Sequence, residues 1–272
     1  MVIISIKKKP SDLIKSIDKA IDLLEVLSKS DSSLGMTEIS NILDFPKSTV
    51  ARILSTLEYR KFIKQDITTK KYKIGLKIFE LGSSIFNDLE IRPIVRPHLK
   101  ELVKDLDETA HLVIYNQGDV VYIDKVDTTH PIRQYSKIGR SAPVHCSAVG
   151  KVILAYKPED VVDEIIKKKG LKKYTDNTIT EYRELKKHLK KIKKRGYAVD
   201  NCEIQEELRC VAAPVFNYSG KVIAAISVSG PVSRLTKEDI NIFAKKVKKT
   251  CMEISSQLGY LYSKNRAAKG RK

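Results

Sequence analysis

Tryptophan is absent from the 272 residues, methionine occurs three times, and aromatic residues make up only 7%. The four cysteines, Cys146, Cys202, Cys210 and Cys251, include no C-x-x-C pair, which disfavours a zinc ribbon or a dithiol redox motif. No apolar run approaches the ~20 residues of a membrane-spanning helix. Val2-Ile3-Ile4 before Lys7-Lys8-Lys9 is too short for a secretory signal. The expectation is a cytoplasmic protein with no membrane partner. Acid is also scarce, 33 Asp/Glu against 51 Lys/Arg, for a formal charge of +18. That surplus invites an anionic partner but does not locate it.

Where the charge sits tempers the point. Residues 1–82 hold 15 Lys/Arg against 10 Asp/Glu, whereas 167–195 hold 13 against 3. The lysine-rich segment reads as a solvated helix face rather than a second nucleic-acid contact. The tail 263–272 contains no acid and is expected to be disordered. With 42% hydrophobic residues the chain can bury a substantial core, and its length suits two domains, one small and one of medium size.

What is present centres on Pro46 to Leu57. At helical spacing Val50, Ile53, Leu54 and Leu57 share one side, while Lys47, Ser48, Thr49 and Arg52 cluster on the other. Pro46 suits the first helical position. A helix that anchors one face and shows small polar and guanidinium groups at its start fits a major groove. Upstream, Ser16 to Leu27 carries Ile17, Ala20, Ile21, Leu24 and Leu27 at helical spacing, and Met36 to Leu43 reads as a short helix capped by Thr37. Downstream, 62–65 and 71–75 read as two short strands. Helix, short helix, turn, reader helix and hairpin describe a winged helix-turn-helix over 1–75. Arg52, Ser48 and Thr49 are the candidates for base edges, and Lys47, Lys70 and Lys71 for phosphates.

A linker helix is expected over 76–90, followed by a second domain over 91–262. Ile91 to Leu106 reads as a helix, and 111–115 and 120–123 as a hairpin across Asn116-Gln117-Gly118-Asp119. Helices follow over 147–156, 158–168 and 181–195, strands over 208–216 and 221–229, and a long helix over 236–261. Helices segregated from an antiparallel sheet make the class α+β. Alternation puts Ser227 and Ser229 on one strand face and Leu208, Cys210 and Ala212 on one face of the neighbouring strand. The helix opening at Ser147-Ala148-Val149-Gly150 offers free N–H groups to an anion.

The run PKSTVARILSTLEYRKFI followed by KKYKIG resembles the DNA-binding domain of the IclR family of transcriptional regulators. PVHCSAVGKVILAY, GYAVDNCEI and CVAAPVFNYSGKVIAAISVSGPVSR resemble that family's effector-binding domain. The resemblance spans about Ile17 to Gln257. It implies a GAF-like second domain and a ligand-controlled regulator, not an enzyme, that binds a double-stranded operator as a dimer or tetramer. The positions matching the family's effector pocket are Ala148, Val149, Asp200, Cys210, Ser227 and Ser229, which suit a small carboxylate; no cofactor is implied. Two departures stand out: Asp44-Phe45 where the turn usually holds glycine and an aliphatic residue, and Glu207 where glycine is usual.

Two other chemistries deserve weighing. His145, Cys146, Cys202 and Cys210 could make a zinc set if they converged, though their spacing is irregular. That would make the chain a zinc- or small-molecule-sensing protein with weak or sequence-independent DNA binding. A Cys146 nucleophile beside His145 lacks a third orienting group, and neighbours in an extended segment point apart.

Overall fold

The computed structural model describes residues 13–30, 32–81, 91–131 and 136–260. It divides into two compact units, 1–90 and 91–272. The second half of the expected linker helix and the basic tail lie outside the described residues.

The first unit runs α1 (Lys15–Lys29), α2 (Met36–Leu43), α3 (Lys47–Tyr59), β1 (Ile63–Gln65) and β2 (Tyr72–Ile74), with α4 helical over the described 76–81. Leu23, Leu27, Ile39, Val50, Leu54, Leu57 and Ile63 form its core. The stripe expected on α1 is displaced: Leu23 and Leu27 are buried, whereas Ile17 and Ile21 are more than half exposed. α2 is not capped by Thr37. Gly35 is the N-cap, and its N–H donates to Glu38 Oε2 at 2.6 Å, so the glutamate reaching back supplies the cap. Pro46 sits one position before the first helical residue of α3. Asp44 closes α2 with φ +53°, the left-handed region where glycine is least strained and aspartate is tolerated.

The second unit contains α5 (Ile91–Leu106), β3 (Thr109–Asn116), β4 (Asp119–Val126), β5 (Ser141–Pro143), α6 (Ala148–Ala155), α7 (Glu159–Lys169) and α8 (Tyr182–Arg195). β6 (Ala198–Asn201), β7 (Leu208–Phe216), β8 (Val222–Pro231) and α9 (Ile240–Gln257) complete it. The six strands form one antiparallel sheet in the order β5-β4-β3-β8-β7-β6. Gln117 and Gly118, at φ +46° and +93°, make the two-residue turn from β3 to β4, the connection whose twist matches its strands. α6 packs on β6, β7 and β8 from one side, backed by α8, and α5 and α9 pack on the sheet as well.

Two strands were not expected: β5, three residues ending in Pro143, and β6, four residues. α9 starts later than expected because Thr236–Asp239 form a turn, in which Thr236 N–H and Oγ1 both donate to Asp239 Oδ2. Glu207 does not adopt positive φ, so its place needs no glycine.

Candidate nucleic-acid interface and effector pocket

On α3 the apolar side is anchored by Val50, Leu54 and Leu57, leaving Lys47, Ser48 and Arg52 exposed. Thr49 is half-buried, and its N–H donates to Pro46 O. In the wing, the Asp66 carboxylate accepts the N–H groups of Thr68 and Thr69 and the Thr69 hydroxyl. Those bonds hold its carboxyl below the usual range and stiffen the turn that presents Lys70, itself exposed at φ +56°. Lys71 is placed differently from the expectation: it is half-buried and pairs with Glu38 of α2 at 3.4 Å. Strand register instead exposes Lys64 directly opposite Lys73, a like-charged cross-strand pair that costs stability when nothing anionic is near. The alternation of Ile63-Lys64-Gln65 and Tyr72-Lys73-Ile74 carried that signal.

In the second unit the six matched residues line one cavity, joined by Tyr122, Ser147, Ile204 and Leu208. Register explains the convergence. Asp200 pairs with Cys210, Cys210 with Ser229 and Ser229 with Thr109, in one row across four strands. The next row runs Ala198, Ala212, Ser227 and His111. Residues two apart share a face, so Cys210, Ser227 and Ser229 meet the start of α6. The space enclosed is about 20 Å³, room for about one water.

The start of α6 is more constrained than its sequence implied. Ser147 caps it, its Oγ accepting from Gly150 N–H at 3.1 Å and donating to Pro143 O at 2.6 Å. Gly150 N–H is therefore spent, and Ala148 and Val149 are the α6 residues that line the cavity. A Cβ at Gly150 would lie 2.4 Å from Val144 Cα and 2.5 Å from its carbonyl oxygen, so only glycine permits this approach.

Burial shapes the electrostatics. Asp200 is 2% exposed, and desolvation, opposed by Lys151, pushes its carboxyl up to about 7. The Cys210 thiol, hydrogen-bonded with Ser229, is pushed up by burial, as is the Tyr122 hydroxyl. Neither is a thiolate or phenolate near neutrality. His111, fully buried with Nε2 at 2.8 Å from Ser136 Oγ, is pushed down to about 4. A histidine depressed in the folded state binds its proton first when unfolded, so stability falls as pH drops from about 6.5 towards 4. His111→Gln should flatten denaturant-monitored stability across that window by about 1.4 kcal/mol per pH unit. Asp200 runs the other way, its contribution being lost as pH rises from about 4 to 7.

The alternative zinc residues do not assemble. Among the described residues no group of three or more His, Cys, Asp or Glu could hold a metal. His145 Nε2 lies 3.0 Å from Lys172 O, and burial pushes the Cys146 thiol up. A larger groove of about 230 Å³ lies between α6, α7 and α8. Its polar groups are rim side chains such as Lys157, Lys190 and Lys193, and no buried donor converges there. Among the described residues no helix is long and apolar enough to cross a membrane.

Comparison with known proteins gives the same outline. The profile described as "Bacterial transcriptional regulator IclR C-terminal" matches residues 83–256, and that of the IclR helix-turn-helix domain matches 16–66. The transcriptional regulator KdgR of Escherichia coli is 34% identical over 252 residues, covering 93% of this chain and 95% of that protein. The transcriptional repressor IclR of E. coli is 34% identical over 248 residues, 90% of each. The crystal structure of Thermotoga maritima IclR superposes with a TM-score of 0.75 at 35% identity, over 91% of this chain and 100% of that one. An IclR homologue from Microbacterium hydrocarbonoxydans, solved with 4-hydroxybenzoate, shares the fold at TM-score 0.78 and 20% identity, over 89% of this chain and 98% of that one. With both domains matched in order over nearly its whole length, the chain belongs to the IclR family of transcriptional regulators, which join a DNA-binding helix-turn-helix to an effector-binding domain.

Proposed function

We propose that the chain binds a two-fold symmetric operator as a dimer or dimer of dimers, and that a small anionic metabolite held in the β6-β7-β8/α6 cavity modulates this binding. The observation that carries the reading is the convergence of six residues from α6, β6, β7 and β8 on one buried cavity. Ala148 and Val149 N–H groups sit at the positive end of α6 and would receive a carboxylate, with Ser227 and Ser229 donating hydroxyls. Lining by Asp200 adds a requirement: the ligand offers a hydrogen bond to it, or Asp200 carries the proton and donates. Since the cavity has room for about one water, an effector must displace a wall. The 202–207 turn is the wall without helix or strand. Calorimetric titration of the full chain with a panel of small carboxylates, repeated with operator bound, tests this. Saturable heat with an operator-dependent affinity is expected; no heat from any member would count against an anionic effector.

On DNA, Arg52 and Ser48 of α3 read base edges, with Thr49 partly withdrawn, while Lys47 and Lys70 hold phosphates. Lys71 joins them only by leaving Glu38. Lys64 and Lys73 fit the same role, since a phosphate between them would relieve their repulsion. Lys64→Ala and Lys73→Ala should each weaken all sequences alike and lower the salt slope by about one, while leaving the free protein no less stable.

Dimerisation is supported by α1 and α4. Ile14, Ile17 and Ile21 recur at helical spacing, and they, Leu76 and Phe79 are all more than half exposed, an apolar surface that a second copy would cover. Ile17→Glu with Ile21→Glu should reduce the mass seen in sedimentation at micromolar concentration and cost operator affinity. An unchanged mass would place the dimer contact elsewhere.

A further inference from the structure

Lys151 is the largest fully buried side chain among the described residues, with 0% exposure. A buried ammonium is costly unless it is paired and hydrogen-bonded, so its partners reveal what holds it there. Nζ donates to Val199 O on β6 at 2.7 Å and to the Glu203 carboxylate. Glu203 is itself buried, and its backbone N–H donates to Asp200 Oδ1 at 2.7 Å. Asp200 lines the cavity, whereas Lys151 and Glu203 do not. Lys151 also follows Ala148 and Val149, which line the same cavity, along α6. A single side chain thus ties the α6 wall to the β6 wall.

We propose that Lys151 is a positioning residue of the effector pocket: through Glu203 and the β6 backbone it fixes the Asp200 carboxyl opposite the α6 amides and balances its charge. The inference rests on the effector-pocket reading above. The groups facing Asp200 are few: Lys151 from α6, Cys202, Glu203 and the Ile204 N–H from the following turn, Cys210 from β7, Tyr122 from β4, and Cys146 before α6. Of these only Lys151 is cationic. Burial holds the three thiols and the phenol neutral, so the ionic balance at Asp200 is set by Lys151 against Glu203. A ligand anion entering beside Asp200 meets a site whose charge is already divided among three buried groups.

The consequence is a pair of opposite effects. Lys151→Met leaves two buried carboxyls without a cation, so Asp200 should hold its proton to higher pH. Glu203→Gln keeps the shape but leaves Lys151 to Asp200 alone, so Asp200 should release its proton at lower pH. Infrared difference spectroscopy of the full-length protein reads this, with the Asp200 carbonyl band assigned by its loss in Asp200→Asn. The wild-type midpoint near 7 should rise by about 1–3 units in Lys151→Met and fall by a similar amount in Glu203→Gln. Should Lys151→Met not fold, Lys151→Met with Glu203→Gln removes both charges together, and its midpoint should lie above wild type but below the rise expected for Lys151→Met. A residue that merely fills space would not move the midpoint in opposite directions. A Glu203→Gln midpoint that stays or rises overturns the proposal. No effector is present in this titration, so its failure would leave ligand binding intact, and a pocket that binds no carboxylate would leave this result standing.

Discussion

Replacing Arg52 by alanine is expected to cost about 1–3 kcal/mol on the specific operator and to blunt preference at one base pair per half-site. The reason lies in the helix that carries it. α3 is clamped by Val50, Leu54 and Leu57 in a core shared with Leu23 and Ile39, which fixes the azimuth of Arg52. Its guanidinium can therefore offer a bidentate pair to a guanine edge at low entropic cost. Truncation leaves the phosphate contacts untouched, so binding to unrelated DNA should scarcely change. If Arg52→Ala retained full discrimination, the register assigned to this helix would be wrong.

Ser227→Ala combined with Ser229→Ala should abolish the response of DNA binding to effector while leaving effector-free DNA affinity nearly unchanged. Both hydroxyls stand on the same face of β8 beside Cys210, in the cavity that Ala148 and Val149 also line. Removing them strips the cavity of two donors without creating a large void, so folding should survive. An anion left with two amides and no hydroxyls keeps too little to offset its desolvation. Thermal melts of the double variant should lie within a few degrees of wild type, which separates lost recognition from lost fold. A preserved effector response would move the site away from β8.

How much of this could be read from the chain alone differed between the two domains. The reader helix was legible because its evidence is local: four apolar and four polar residues within three turns state which side is buried. The wing was visible as strands, but the pairing of Lys71 with Glu38 of α2 was not. Lys71 follows Lys70 directly and precedes β2, and its partner Glu38 is 33 residues away in sequence, whereas the alternation within β1 and β2 turns Lys64 and Lys73 outward. α1 misled for a related reason, since Ile17 and Ile21 obey helical spacing on a face that the monomer does not bury.

The pocket was legible only through resemblance. Its walls come from β4, α6, β6, β7, β8 and the 202–207 turn, and no spacing rule brings Asp200 opposite Ser229. Strand register does that, through a row whose β6 member is a four-residue strand too short to announce itself. Lys151 was passed over because it sits in an apolar helix, where a lysine reads as a snorkelling side chain rather than a buried tie.

The central claim is sequence-specific DNA binding under ligand control, and competition binding tests it most directly. Fragments selected from the source genome by the full-length protein would be titrated against bulk DNA at about 0.15 M salt, with and without a carboxylate identified by calorimetry. Preference for the selected fragment by about 10³-fold or more, shifted by the ligand in wild type but not in the Ser227/Ser229 double variant, is the predicted result. A preference near unity, or one indifferent to every ligand that binds, would contradict the account.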